Sequence, residues 1–241
     1  MAQRQRTKEH VTITWFGHSA FHLQTAGGQS ILIDPWLDNP KAPAGAKDIA
    51  RVNLILVTHG HCDHIGNTVE IARRTGARVV AIHEISLYLK SVGVSEASGM
   101  NKGGSMTVDG ITLTMTDAKH SGDVDVDPKI VCGGEAAGFV ITLEDGYTVY
   151  HAGDTAVFGD MKIIADLYKP SLALLPIGDL FTMGPREAAL ACKFLKPRTI
   201  IGMHYGTFPV LTGTPSELKR YLPKEMKQRV LELTPGSPVT V

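Results

Sequence analysis

The chain has 241 residues, and 43% of them are hydrophobic, so it can bury a large core as one compact α/β unit. Lysine plus arginine and aspartate plus glutamate both number 24, and this zero net charge argues against nucleic acid as the main partner. Residues 1–6 are charged without an apolar stretch behind them, and no apolar run is long enough to span a bilayer. We therefore expect a cytoplasmic protein with neither nucleic acid nor a membrane as its partner. The sequence leaves open whether the chain forms a homo-oligomer.

The first elements in chain order are predicted strands of an antiparallel meander, because apolar and polar residues alternate in each. They cover residues 11–15, 18–23 and 30–33. His18 stands among apolar neighbours in the second strand and is either a buried histidine or a residue at a pocket mouth. The third strand stops at Asp34 because proline follows it. Asp34 is either an acid that orients a metal-binding loop or a simple turn former.

The most informative stretch follows the short apolar run Leu54–Val57, which predicts a buried strand. Its ligand-type residues are His59, His61, Asp63 and His64. They lie on the loop at the strand's carboxyl end, before a helix predicted over residues 65–74, where open α/β folds place their sites. The H-x-H-x-D-H spacing predicts a metal site rather than a polar surface loop. Cys62, between the ligands, is interpreted as a small buried apolar residue.

Three later predicted strands also lead to a residue that can bind a metal. The strands over 111–116, 147–150 and 199–203 are followed by His120, Asp154 and His204. A sheet that gathers such strand ends on one rim would build a metal site. His151, next to Asp154 in the chain, is either a partner of Asp154 or a strand-end histidine.

Two loops are predicted to shape the substrate site. Residues 121–134, which include Asp123, Asp125 and Asp127, show no regular pattern and form a candidate lid. Residues 176–185 precede a helix predicted over 185–195, and Phe181, Thr182 and Met183 there would form an apolar wall with one hydroxyl. The other predicted elements are a strand over 78–82, helices over 85–91 and 215–227, a strand over 137–143, a strand over 172–175 and a final strand over 237–241.

These motifs resemble those of a known superfamily. His59-x-His61-x-Asp63-His64, completed by the later histidines and Asp154, is similar to the metal-binding signature of the metallo-β-lactamase superfamily. The segments 182–185 and 204–209 resemble those of a subgroup of small stand-alone metal-dependent hydrolases related to the ascorbate-6-phosphate lactonases. The resemblance implies one domain over residues 1–241 with an α/β (α+β) fold, the four-layer αββα sandwich.

The resemblance also implies two divalent metal ions, with Zn²⁺ favoured and Mn²⁺ or iron as alternatives. It gives the first ion His59, His61 and His120, the second ion Asp63, His64 and His204, and a bridging role to Asp154. Asp63, Asp34 and His18 would be the catalytic residues. The substrate contacts would be Phe181, Thr182, Met183 and Tyr205.

The function implied is hydrolysis of a small ester, lactone or phosphoester by a hydroxide that bridges two metal ions. RNA-processing relatives carry a large inserted domain between the last two motifs, whereas only residues 155–203 separate them here. The alternatives are a diiron redox protein and a non-catalytic metal-binding module on the same fold. Redox members usually have a carboxylate at the position of His61 and an attached flavodoxin-like domain.

Overall fold

The computed structural model describes residues 9–126 and 128–241, and this part of the chain forms two large β-sheets with helices outside them. The strands are β1 (Val11–Trp15), β2 (Phe21–Thr25), β3 (Ser30–Ile33), β4 (Leu54–Leu56), β5 (Arg78–Ile82), β6 (Ala97–Met100), β7 (Ser105–Val108), β8 (Ile111–Asp117), β9 (Val124–Val126), β10 (Lys129–Val131), β11 (Ala137–Thr142), β12 (Thr148–His151), β13 (Leu172–Pro176), β14 (Thr199–Met203) and β15 (Val239–Thr240). The helices are α1 (Cys62–Ile65), α2 (Thr68–Thr75), α3 (His83–Ser91), α4 (Met161–Tyr168), α5 (Pro185–Leu195), α6 (Pro215–Tyr221) and α7 (Lys224–Lys227).

The first sheet has the strand order β15-β1-β2-β3-β4-β5-β6. Strands β1 to β3 form the predicted antiparallel meander, and β3 to β6 run parallel to one another. Because Ile33 of β3 pairs with Leu56 of β4, the residues that follow these two strands leave the sheet side by side. This register places Asp34 next to the loop that begins at Thr58.

The second sheet has the strand order β14-β13-β12-β11-β8-β7. Strands β12, β13 and β14 are parallel, and β8 runs in the same direction because both β8 and β12 are antiparallel to β11. His120, Asp154 and His204 follow β8, β12 and β14, so all three leave the sheet at the same rim. The prediction that strand ends gather these residues is confirmed.

The layers follow from the alternation of side chains along the second sheet. Phe139 and Ile141 of β11 belong to the apolar core shared with the first sheet, whereas Val140 between them packs with residues of α4, α5 and α6. A sheet with apolar residues on both faces must be covered on both sides. The two sheets therefore pack face to face with helices outside, which confirms the αββα sandwich.

Several local predictions need correction. The second strand starts only at Phe21, because His18 has a left-handed backbone conformation, φ 52°, in the turn after β1. The helix predicted over 65–74 is divided into α1 and α2 at Gly66, where φ is 37°. The helix predicted over 215–227 stops before Pro223, which lacks the N–H that a helix interior needs. Short strands β6 and β7 were not predicted.

The candidate lid over residues 121–134 is more regular than predicted. It contains the two-stranded hairpin β9–β10, in which Asp125 pairs with Ile130. Asp127 lies outside the described residues, as do residues 1–6 on which the expected cytoplasmic location partly rests. No helix in the described ranges is both long enough and apolar enough to cross a membrane.

Candidate metal centre

Asp34 organises the loop that carries the histidine motif. Its Oδ1 accepts a hydrogen bond from the backbone N–H of Thr58 at 2.8 Å, and its Oδ2 accepts from the Thr58 hydroxyl at 2.7 Å. The same Oδ2 accepts from Nδ1 of His64 at 2.8 Å. Both oxygens of this buried carboxylate are therefore engaged by donors, so it orients His64 without offering a free oxygen to a metal.

The first cluster consists of His59, His61 and His120, whose potential ligand atoms lie within 4.8 Å of one another. Nδ1 of His59 lies 3.0 Å from the Thr58 hydroxyl, which already donates to Asp34 and therefore accepts from this nitrogen. The other nitrogen of His59, Nε2, lies 3.0 Å from Nδ1 of His61. Two neutral imidazole nitrogens pointed at one another are suited to sharing a cation. These three residues are the predicted ligands of the first ion.

The second cluster consists of His18, Asp63, His64 and His204, also within 4.8 Å of one another. It contains the three residues predicted for the second ion and adds His18. Nε2 of His18 lies 3.0 Å from Oδ2 of Asp63, and Nε2 of His204 lies 4.0 Å from that same oxygen. The structure thus places His18 beside Asp63, fully buried and not at a pocket mouth.

Asp154 lies between the two clusters. Its Oδ2 is 2.8 Å from Nε2 of His204, 3.2 Å from Nε2 of His64 and 3.8 Å from Nε2 of His120. A tetrahedral ion bound at about 2.0–2.1 Å holds its ligand atoms roughly 3.3 Å apart, so these separations suit ligands that share ions. One carboxylate oxygen thus reaches histidines of both clusters.

Unpaired buried polar atoms also fit a metal centre. Within the described residues, Nε2 of His64, Oδ1 of Asp154 and Nδ1 of His204 are buried and lack a hydrogen-bond partner. Nε2 of His64 is close to Asp154 but has no hydrogen-bonding direction toward it. Buried polar groups are nearly always satisfied, so Nε2 of His64 and Oδ1 of Asp154 need a partner, whereas Nδ1 of His204 lies on the far side of a ring whose Nε2 faces Asp154. A bound cation satisfies lone pairs on imidazole nitrogens and carboxylate oxygens together.

The charges in the cluster are strongly coupled. Burial lowers the pKa of His59 well below its ordinary value. Burial opposes the charged form of His64, but the carboxylates of Asp154 and Asp34 outweigh it and raise the pKa of His64 well above the ordinary value. Burial likewise opposes ionisation of Asp154, yet His204 and His64 hold its pKa well below the ordinary value. The positive charge that these carboxylates favour can be a proton or a metal ion, and a metal ion displaces the proton.

The residues predicted to contact substrate differ in exposure. Phe181 is 55% exposed on the loop between β13 and α5, and Thr182 is partly exposed beside it. Met183 is buried among the residues of the second apolar cluster, so it presents no apolar wall to solvent. The ring of Tyr205 stacks on Trp15, with centroids 5.2 Å apart, and packs against the core. Phe181, Thr182 and Tyr205 therefore keep some exposure, whereas Met183 does not.

Two aromatic residues that the sequence interpretation missed lie beside the second cluster. Trp36 and Phe208 stack on one another with centroids 5.7 Å apart, and both meet the ring of His18 edge-on. Both are partly exposed. Trp36 follows Asp34-Pro35, and Phe208 belongs to the segment 204–209 that begins with His204. Their positions next to these two motifs could have identified them as residues near the site.

Two further residues, Cys62 and His151, were assigned roles from the sequence. Cys62 is exposed on the first turn of α1, which corrects its interpretation as a buried residue. His151 is fully buried, with Nε2 donating to the Ser19 carbonyl at 3.3 Å and Nδ1 accepting from the Gly153 N–H at 3.1 Å. It therefore holds the backbone next to Asp154 without contacting that carboxylate through these bonds.

Comparison with known proteins gives consistent results. The family model described as "Beta-lactamase superfamily domain" matches residues 29–205. A UPF0173 metal-dependent hydrolase of Methanosarcina mazei is 48% identical over 228 residues, covering 94% of this chain and 97% of that relative. Another, from Rubrobacter xylanophilus, is 51% identical over 211 residues, covering 87% of each.

A solved structure supports the same grouping. Igni18, described as a novel metallo hydrolase from the hyperthermophilic archaeon Ignicoccus hospitalis, has a TM-score of 0.86 and 39% identity to this chain. The match covers 96% of this chain and 98% of Igni18. These matches confirm the superfamily and the hydrolase class that the motifs predicted. The chain belongs to the UPF0173 metal-dependent hydrolases of the β-lactamase superfamily.

Proposed function

We propose that this chain is a dinuclear metal-dependent hydrolase that acts on a small ester, lactone or phosphoester. The observation that carries the proposal is the position of Asp154, whose Oδ2 lies within 3.8 Å of ring nitrogens from both histidine clusters. A carboxylate in that position suits a bridge between two ions. The first ion takes His59, His61 and His120, and the second takes Asp63, His64 and His204.

Two bound ions supply an acidified water as nucleophile and positive charge for the oxyanion that develops on the substrate. The side chains around them have separate tasks. Asp34 and Thr58 fix the orientation of His64 and His59 through the bonds described above. Oδ2 of Asp63 lies 3.0 Å from Nε2 of His18 and 4.0 Å from Nε2 of His204, so this carboxylate is positioned to bind the second ion and orient the attacking water.

Solvent access favours catalysis over a purely structural metal site. The side chains of His120 and Asp63 are 15% and 21% exposed, whereas His59 and His64 are fully buried. Structural metal sites are closed by protein ligands, while catalytic sites keep an open position for water or substrate. The exposed side of the cluster is therefore the approach for substrate, and a non-catalytic module is the weaker proposal.

The metal we favour is zinc, because five imidazoles dominate the ligand set, although manganese or iron would also be accommodated. The diiron redox alternative is disfavoured by His61, whose Nδ1 directly faces Nε2 of His59 at 3.0 Å. Redox members usually place a carboxylate at that position. An imidazole there favours hydrolysis over oxygen chemistry.

We propose that the substrate is small and partly apolar. Trp36 and Phe208 present partly exposed aromatic surface beside the second cluster, and Phe181 offers more on the loop before α5. The zero net charge of the chain gives no general attraction for the phosphate backbone of RNA or DNA. The relation to lactonases rests on the two sequence steps near Thr182 and His204 and keeps a lactone among the candidates.

The test is a screen of the zinc-loaded protein against esters, lactones, phosphomonoesters, phosphodiesters and single-stranded RNA. We expect hydrolysis of at least one small ester, lactone or phosphoester, and its loss in Asp63→Asn. The control is Asp160→Asn, which changes an exposed acid. Efficient RNA cleavage that Asp63→Asn abolishes would contradict the small-molecule proposal. Iron-dependent oxygen uptake with no hydrolysis would favour the redox alternative.

A further inference from the structure

His18 is the one member of the second cluster that the predicted ligand set does not include. It is fully buried in the turn between β1 and β2, and each of its ring nitrogens makes one polar contact. Nε2 lies 3.0 Å from Oδ2 of Asp63, and Nδ1 lies 3.0 Å from the hydroxyl of Thr207. The question that this geometry raises is whether His18 binds a metal or holds the residues that do.

The chemistry of Asp63 decides which ring nitrogen carries a proton. A carboxylate that ligates a metal is ionised, and an ionised carboxylate only accepts hydrogen bonds. Read as a hydrogen bond, the 3.0 Å contact requires an N–H on Nε2 of His18. A protonated nitrogen has no lone pair for a metal. The remaining nitrogen, Nδ1, faces Thr207, whose hydroxyl can donate or accept, and not the cluster.

The backbone of His18 holds a second ligand. Its carbonyl oxygen accepts a hydrogen bond from the backbone N–H of His204 at 3.0 Å, and another from Nε1 of Trp15 at 2.8 Å. Asp63 follows the first sheet and His204 follows the second, so one residue contacts ligands supplied by both sheets.

The local backbone is strained in a way that fits this role. His18 and His204 both adopt left-handed conformations, with φ of 52° and 56°, and Gly17 before His18 has φ 93°. Non-glycine residues rarely adopt this conformation, and such strain concentrates at functional sites. Here the turn brings the His18 ring to Asp63 and its carbonyl to His204 at the same time.

We propose that His18 is a positioning residue for the second ion: its ring orients Asp63, its carbonyl orients His204, and it does not itself bind metal. The role rests on the proposed function, because it takes Asp63 and His204 as ligands. Thr207 contributes to the same arrangement, because its hydroxyl contacts Nδ1 on the opposite edge of the His18 ring. A ligand role for His18 is the competing account.

The first test compares metal affinities of the full chain by zinc titration against a chelator. His18→Phe keeps a ring but removes the donor, and we expect one of two zinc equivalents to bind about 10–100-fold more weakly while the other is unchanged. His18→Gln, whose amide can still donate toward Asp63, should recover part of this loss. Thr207→Val should weaken the same equivalent, and its control Thr207→Ser, which keeps the hydroxyl, should not.

The second test needs no variant and so does not depend on how the variants fold. Long-range ¹H–¹⁵N NMR of the zinc-loaded wild-type chain identifies which nitrogen of His18 carries hydrogen. We expect a proton on Nε2 and no metal coordination there. Metal coordination by Nε2 would overturn the inference in favour of a ligand role, and so would equal zinc affinities in wild type and His18→Phe. A wild-type chain that binds no metal would instead overturn the proposed function together with this role.

Discussion

At the scale of single residues, the imidazoles of the centre are distinguished by which nitrogen is left for a metal. His59 uses Nδ1 and His61 uses Nε2 for contacts with the hydroxyls of Thr58 and Ser121, at 3.0 and 3.3 Å. His64 uses Nδ1 for Asp34. The nitrogens that remain are Nε2 of His59, Nδ1 of His61 and Nε2 of His64, and each faces the centre. Partners outside the ligand set thus fix the orientation of these three rings before any ion binds.

Asp34→Asn tests this orientation directly. The amide replaces one carboxylate oxygen by an NH₂ group, so it cannot accept all three hydrogen bonds that the carboxylate accepts from Thr58 and His64. We expect metal affinity to fall about 10–100-fold while the fold is retained. Chelator titration measures the affinity. The matched control is Asp38→Asn, which alters a mainly exposed acid in the same loop. An equal loss in both variants would show that the effect is not specific to Asp34.

At the scale of elements, the strand ends were predictable and the turns were not. A buried run such as β4 followed by H-x-H-x-D-H is a local signal, and so is the alternation along β8 before His120. The turn at His18 was not predictable, because its left-handed backbone is stabilised by contacts with Thr207 and His204, far away in the chain. Local propensity carries no information about such contacts.

The substrate-facing residues show the same limit. Met183 and Phe181 are two positions apart in one loop, yet one is buried in the core and the other is exposed. Apolar character alone could not separate them. Trp36 and Phe208 come from distant loops and meet only because the two sheets pack together. Pocket walls of this kind depend on tertiary packing and not on a sequence pattern.

Trp36→Leu tests the aromatic pair as a substrate wall. Removing the indole should raise KM for the best apolar substrate from the screen roughly tenfold, with little change in kcat and no loss of metal. The expected KM change reflects lost apolar contact on a surface that does not touch the reacting atoms. Tyr221→Leu, which removes an exposed aromatic ring on α6, is the control. A loss of kcat at unchanged KM would contradict a binding role.

Strand β2 supplies a pH-dependent contribution to stability at His22. Burial lowers the pKa of His22 to about 4, and its Nε2 donates to the Ser30 hydroxyl at 2.8 Å. The unfolded imidazole has a pKa of about 6.5, so the contribution is present above about pH 6.5 and is lost as the pH falls toward 4. The neutral folded form is then increasingly outcompeted by the protonated unfolded form.

We predict that His22→Leu reduces the pH dependence of the free energy of unfolding. Between about pH 7 and about pH 5 the wild type should lose about 2 kcal/mol more stability than the variant. Urea unfolding of both proteins at the two pH values measures the difference, and effects of the other histidines cancel in the comparison. Parallel pH profiles for the two proteins would show that His22 contributes no such term.

At the scale of the whole molecule, the metal centre lies where the two sheets meet. The first sheet supplies Asp34 and the loop from His59 to His64, and the second supplies His120, Asp154 and His204. The ligands of each proposed ion come from both sheets. Neither sheet alone can complete a set, so the centre requires the packed sandwich, and bound ions stabilise the folded state in return.

The most direct test of the central claim is the metal content of purified protein for wild type, Asp154→Asn and Asp160→Asn. If Asp154 bridges two ions, the wild type and the exposed-site control should hold about two equivalents per chain. Asp154→Asn should lose most of both, because its Oδ2 lies close to histidines of each cluster. Two equivalents retained by Asp154→Asn, or a wild type that saturates at about one, would contradict the dinuclear centre.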